Sequence, residues 1–181
     1  ALTADGNRAL VCGFTTLASG LYTKAIAALE PHTGAILFKG GPTENDPLCM
    51  ALATYYSNRS SVRLANDETD GALSDAVDAL NLRPDWVKAH SRKGDALASL
   101  GRQKEAAESY LAALQLQPDS DQLRERLEQS RAAAVLQETQ ERMREKALQS
   151  QQSPKGGDKV SPKGVDEVVV DEEAKAAAEA A

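Results

Sequence analysis

Aromatic side chains are scarce in this sequence: one Trp, four Tyr and two Phe among 181 residues. With so few of them, and with Val and Ile sparse as well, a β-sandwich or barrel of this length is excluded. Cysteine is nearly absent. Cys12 and Cys49 cannot make a disulfide framework or a zinc site, which fits a reducing, cytoplasmic compartment. No apolar run approaches the ~20 residues needed to span a bilayer, and no signal-peptide pattern opens the chain. The formal net charge of −6 argues against nucleic acid as the main ligand. Catalytic patterns are missing too: there is no Gly-rich phosphate loop, no nucleophile elbow and no His-based acid–base pair. His32 and His90 have no Cys or carboxylate neighbours at metal-ligand spacing, so both read as structural. Cys12 is expected to pack within a small-residue helix. Neither an enzyme nor a cofactor or metal is expected.

What the chain has in quantity is Ala and Leu, 31 and 21 residues, more than a quarter of the whole. Small residues at this density suit close helix–helix packing. They also recur. Pro84 and Pro118 lie 34 residues apart, as do Ala72 and Ala106, Ala79 and Ala113, and Leu80 and Leu114. "DALNLRPDW" at residues 78–86 and "AALQLQPDS" at 112–120 repeat one pattern.

A 34-residue period with small residues on two helices and a terminal Pro resembles the tetratricopeptide repeat. The small residues let the first helix of a hairpin approach the second, and the Pro ends the second. The resemblance implies an all-α fold, a right-handed superhelix of three such hairpins plus a long C-terminal capping helix. Repeat two then spans residues 53–86 and repeat three 87–120. Gly94, Leu97, Gly101, Ala106, Tyr110, Ala113 and Pro118 fall at the expected places in repeat three; Ser60 replaces the early Gly in repeat two. Gly6, Gly13, Ala18 and "YTKAI" at residues 22–26 mark repeat one within 1–32, its second helix fading near Pro31. Residues 33–52 read as an insertion carrying turn signals, "GGP" and "ENDP", with the apolar patch "AILF" at Ala35–Phe38 as an alternative extension of the second helix by a turn or two. "DSD" at residues 119–121 offers helix N-cap residues for a capping helix over 121–150, on which Leu123 and Leu127 share one face. Residues 151–181, with four Lys against seven acidic residues, read as a disordered acidic tail.

In such a superhelix the first helices line the concave face. Asn58 and Arg92 hold the same repeat position, 34 residues apart, and Lys88 lies one turn before Arg92 on its helix face. With Asn7 this set resembles the carboxylate clamp of chaperone-binding tetratricopeptide domains, which grip the C-terminal Glu-Glu-Val-Asp of the seventy- and ninety-kilodalton heat-shock chaperones. The residue types suit such a ligand, because amide groups donate to a chain-end carboxylate and Lys and Arg add charge-assisted hydrogen bonds. The resemblance implies clamp roles for Asn7, Asn58, Lys88 and Arg92. It sets Leu10 and Ser61 beside the ligand, although Leu10 is equally a core candidate. A fifth clamp position, a Lys in the family pattern, falls on Thr3. Trp86 reads as a packing residue between repeats. The function implied is a protein-binding co-chaperone module. The alternative is a scaffold or adaptor whose groove holds an internal peptide and reads no terminal carboxylate.

Overall fold

The computed structural model describes residues 2–38 and 46–152, with side chains for residues 4–31 and 46–150. Among them are seven α-helices and no strand: α1 (Leu2–Val11), α2 (Thr15–Phe38), α3 (Pro47–Ala65), α4 (Thr69–Leu82), α5 (Val87–Ser99), α6 (Gln103–Leu116) and α7 (Asp121–Gln152). Residues up to Met143 form one compact unit, and α7 continues through residues 144–152 of a second. Within the first unit α1–α2, α3–α4 and α5–α6 are the three hairpins, stacked as a tetratricopeptide superhelix, with α7 closing the array. The tail beyond residue 152 lies outside the described residues.

Small side chains set the spacing inside each hairpin. Ala18, Ala72 and Ala106, one per repeat, are fully buried, and so are Ala79 and Ala113 one turn or more further along. In repeats one and three a tyrosine ring fills the remaining gap. A Cβ added to Gly94 would come within 2.5 Å of the Tyr110 ring, and one added to Gly6 within 2.8 Å of Tyr22. Repeat two solves the same problem differently. The position of Tyr110 is taken there by buried Ala76, and Ser60 replaces the glycine. Its hydroxyl donates to the Ala72 carbonyl at 2.8 Å. The glycine missing from repeat two is thus matched by a missing tyrosine.

The turns repeat as well. Gly13 and Gly101 adopt φ of 80° and 75°, and Asp67, at the equivalent place in repeat two, adopts 61°. This left-handed backbone is strained for residues bearing a Cβ and is tolerated best by Gly, Asn and Asp.

Packing between hairpins uses the sparse large residues. Ala9, Ala18 and Tyr22 meet Val62 of α3. Ile26, Cys49, Leu52, Tyr56 and Leu82 form a second cluster, with Trp86 packed against it. A third contains Leu97, Ala106, Tyr110 and Ala113 together with Leu123 and Leu127 of α7, so both leucines seat the capping helix. Ser120 caps that helix, its Oγ accepting from the Leu123 amide at 3.4 Å. Ser130 and Ala134 are its last buried residues, and Val135 and Leu136 face solvent. His90 is structural, its Nε2 2.7 Å from the Pro84 carbonyl.

Three local expectations are corrected. The second helix of repeat one does not fade near Pro31: α2 contains that proline and runs to Phe38, the end of the apolar patch read as its extension. Proline removes one amide donor, but its fixed φ is itself helical. The stretch 33–52 is likewise helical at both ends, over 33–38 and 47–52, rather than an insertion throughout. "ENDP" begins a helix: Asp46 Oδ1 accepts from the Leu48 amide at 2.8 Å, and Pro47 takes the first helical position, where a proline costs nothing. Cys12 is not packed in a helix; α1 ends at Val11 and leaves it exposed in the turn, whereas Cys49 is buried.

An ion cluster private to repeat two pins α3 to α4. Asp75, 1% exposed, is bonded by Arg59 through Nε at 2.9 Å and Nη2 at 2.7 Å, and by Arg63 Nη1 at 2.9 Å. Arg59 also donates to Thr23 of α2 at 3.2 Å.

Two stability tests follow from this packing. Gly94→Ala is expected to cost about 1–3 kcal/mol, as overpacking does, while Gly20→Ala, with open space around an exposed helical glycine, should gain about 0.5–1 kcal/mol. Equal effects in chemical denaturation would contradict the close glycine–tyrosine contact. Asp75→Ala leaves two guanidinium groups without their carboxylate and is expected to cost about 3–5 kcal/mol; a loss below about 1 kcal/mol, the range of an exposed pair, would show that the cluster is not buried in solution.

Candidate functional site

The first helices of the hairpins, α1, α3 and α5, bring three of the sequence-selected polar residues into one line. Asn58 Nδ2 donates to Asn7 Oδ1 at 3.3 Å, and Lys88 Nζ donates to Asn58 Oδ1 at 3.0 Å. At the far end the Tyr22 hydroxyl donates to Asn7 Oδ1 at 2.6 Å. The line therefore crosses three repeats and is tied at Asn7 to the tyrosine that packs on Gly6. Both asparagine oxygens accept within it, which leaves the Asn7 amino group directed to no partner among the described residues.

Lys88 makes no ion pair among the described residues. Its ammonium lies 5.9 Å from the centre of the Trp86 ring, whose other neighbour is Arg83 at 4.8 Å. Burial, and then the charge of Arg92, pull the Lys88 pKa below the ordinary lysine value. Two like charges are held together here with no anion on Lys88.

Arg92, one turn on from Lys88, is not part of the hydrogen-bonded line. It pairs with Asp95 at 3.3 Å, while its buried Nε has no partner among the described residues. Leu10 is half-buried and packs on the cluster of Ala9, Ala18, Tyr22 and Val62, so it serves the core, whatever else it touches. Ser61 is half-buried on α3, three residues after Asn58. Thr3 lies in α1, four residues before Asn7, with its side chain outside the described set.

Two residues of this region escaped the sequence reading. Asp95 accepts from the Tyr110 hydroxyl at 2.8 Å and from Arg126 of α7 as well as from Arg92. Burial, and then the Asp95 charge, push the Tyr110 pKa upward, so its phenol stays protonated and a donor. Arg126 also donates to Ser91 Oγ at 3.2 Å. The signal for both was the 34-residue step itself: Asp95 is the counterpart of Ser61, and Arg126 that of Arg92, one period beyond the last repeat.

Among the described residues no group of three or more His, Cys, Asp or Glu is arranged to hold a metal ion, and no helix is long and apolar enough to cross a membrane.

No protein-family model matches the chain. Over 76 residues, 42% of its length, it is 45% identical to the protein STIP1 homolog of Dictyostelium discoideum and spans 14% of that protein. It covers less than a third of the small glutamine-rich tetratricopeptide repeat-containing protein 2 of Mycosarcoma maydis, at 32% identity over 130 residues. Among solved structures, it superposes on the first tetratricopeptide domain of Spaghetti (RPAP3) bound to the HSP90 peptide SRMEEVD. The TM-score is 0.60 and the identity 25%, covering 74% of this chain and 93% of that one. Three helical hairpins, two of them 34 residues apart, and these likenesses give the chain the tetratricopeptide-repeat fold, similar to that of domains from co-chaperones.

Proposed function

We propose that this domain is a peptide-docking module of a co-chaperone, and that its groove binds the acidic C-terminal Glu-Glu-Val-Asp of a seventy- or ninety-kilodalton heat-shock chaperone. The observation that carries the reading is the line Asn7–Asn58–Lys88, with Arg92 one turn away. It places amide donors and two cations on one face without a carboxylate on Lys88. A chain-end aspartate brings two carboxylates and needs that complement.

Each residue contributes differently in this reading. The Asn7 oxygen is engaged by Tyr22 and Asn58, so its amino group is the one presented to the ligand. Asn58 is held between Asn7 and Lys88 and donates to the chain-end carboxylate as the ligand enters. Lys88 and Arg92 supply the charge-assisted bonds. Thr3 takes the place of a cation and contributes at most a hydroxyl. Leu10 and Ser61 lie beside the ligand. An arriving carboxylate gives Lys88 a counter-charge that offsets its burial and the neighbouring charge of Arg92.

The solved relative that carries an HSP90 peptide supports this reading, as does a second, the human RPAP3 domain in complex with the HSP70 peptide SGPTIEEVD. The present chain spans only a small part of the length of its first curated relatives, and the co-chaperone role of the whole protein is part of the proposal.

Lys88→Ala and Arg92→Ala are each expected to weaken binding of the free-acid peptide Met-Glu-Glu-Val-Asp by about 1.5–3 kcal/mol, the scale of a hydrogen bond to a charged group. Unchanged affinity in both, measured by calorimetry, would remove the clamp. Raising the ionic strength from about 0.05 to about 0.5 M should weaken binding in the parent protein. The pH dependence has a definite sign. Lys88 binds a carboxylate only while protonated, and its pKa is lowered in the free protein, so affinity should start to fall at a pH below the 10.5 of an ordinary lysine. In Lys88→Arg that alkaline loss should disappear.

A further inference from the structure

The groove does not end at repeat three. Adding the 34-residue step to Lys88 and Arg92 gives Gln122 and Arg126, both on α7. Arg126 of the capping helix bonds Ser91 and Asp95 of α5, so the start of α7 lies against that helix. In the repeat register α7 holds the position of a fourth first helix. Between α5 and the start of α7 lies a cleft of about 430 Å³ whose walls include Trp86, Lys88, Arg92, Gln122, Leu123 and Arg126.

The charges in this cleft do not balance. Lys88, Arg92 and Arg126 are cations, and among the described residues the carboxylate engaged with them is Asp95, whose two oxygens are divided between the two arginines. Asp95 is also bonded by the Tyr110 hydroxyl, so it is held in place and cannot turn to serve either arginine fully. The buried Nε of Arg92 has no acceptor among the described residues. An excess of positive charge beside Trp86 and Leu123 suits a side chain that ends in a carboxylate and has methylene groups below it.

The geometry points to a second acid-reading subsite in the α5–α7 cleft, built on Arg126, which takes a glutamate side chain of the bound peptide upstream of its last residue. This subsite rests on the peptide-binding reading above and refines it. Packed helices lie roughly 8–10 Å apart, and an extended chain advances about 3.3 Å per residue. One helix step along the groove is therefore about two or three residues, which sets the glutamate two or three places before the chain end. Arg126 is on this account a specificity residue, contributed by the capping helix and separate from the clamp on the chain end.

A double-mutant cycle tests it. The ligands are the free-acid peptide Met-Glu-Glu-Val-Asp and its two forms in which one glutamate is replaced by glutamine. The proteins are the full chain, Arg126→Gln, and Gln122→Glu, which adds a charge at the exposed rim without removing a contact. Both variants should bind the parent peptide about fivefold or more weaker, as expected for loss of about one charge-assisted bond. Against one of the two glutamine peptides they should differ from the parent protein by less than about twofold, because the partner charge is gone. That retained affinity also shows that the variants are folded. Equal losses against all three peptides, or no loss against any, would overturn the subsite while leaving the clamp standing. Failure of the unmodified protein to bind any of the three would instead overturn the peptide-binding reading, and the subsite with it.

Discussion

The close approach of the two helices in each hairpin is the constraint on which the rest of this structure depends. Alanine at the crossing and glycine opposite a tyrosine ring allow it, and the consequence reaches the groove. In repeat one the Tyr22 ring packs on Gly6 and its hydroxyl bonds the next residue, Asn7. In repeat three the Tyr110 ring packs on Gly94 and its hydroxyl bonds the next residue, Asp95. One local device is used twice. A ring too large for any partner but glycine passes between the helices and delivers its polar end to the concave face. Core packing and the orientation of groove residues are thereby the same event, and a substitution at Gly94 disturbs both. Repeat two, with Ser60 and Ala76, omits the device, and its groove residue at that position is a serine, Ser61. There α3 and α4 are tied instead by the Arg59–Asp75–Arg63 cluster, whose residue types do not recur at the matching positions of repeat three.

Charge on the concave face is organised against the sign of the whole chain. The net charge of −6 suggests an aversion to anionic ligands, yet half of it comes from residues 151–181. In the groove, Lys88 and Arg92 stand together, and the carboxylate beside Arg92, Asp95, is engaged by Tyr110 and shared with Arg126. What a ligand meets in the groove is the local arrangement of amides and cations.

Much of this was legible in the sequence because a repeat states its own register. The 34-residue step picked out Ala72, Ala79, Ala106 and Ala113, all of them buried. Other parts could not be read that way. The Arg59–Asp75–Arg63 cluster belongs to one repeat, with Lys93, Ser109 and Leu97 at the corresponding places in the next, so periodicity carries no trace of it. Pro31 looked like a helix end because proline usually is one, but whether a helix continues past it is decided by the residues that follow. Arg126 was missed for the opposite reason: the register did contain it, one step beyond the point at which the proline-terminated repeats stop.

Whether the groove reads a chain end is the question on which its function turns. The most direct measurement is calorimetric titration of the full chain with Met-Glu-Glu-Val-Asp as the free acid and as the C-terminal amide, which keeps every side chain and removes one carboxylate. Loss of affinity by about tenfold or more on amidation, the scale of one or more charge-assisted hydrogen bonds, is the predicted result. Equal affinity for the two peptides would mean that the groove holds its ligand by internal residues alone, and would contradict the clamp.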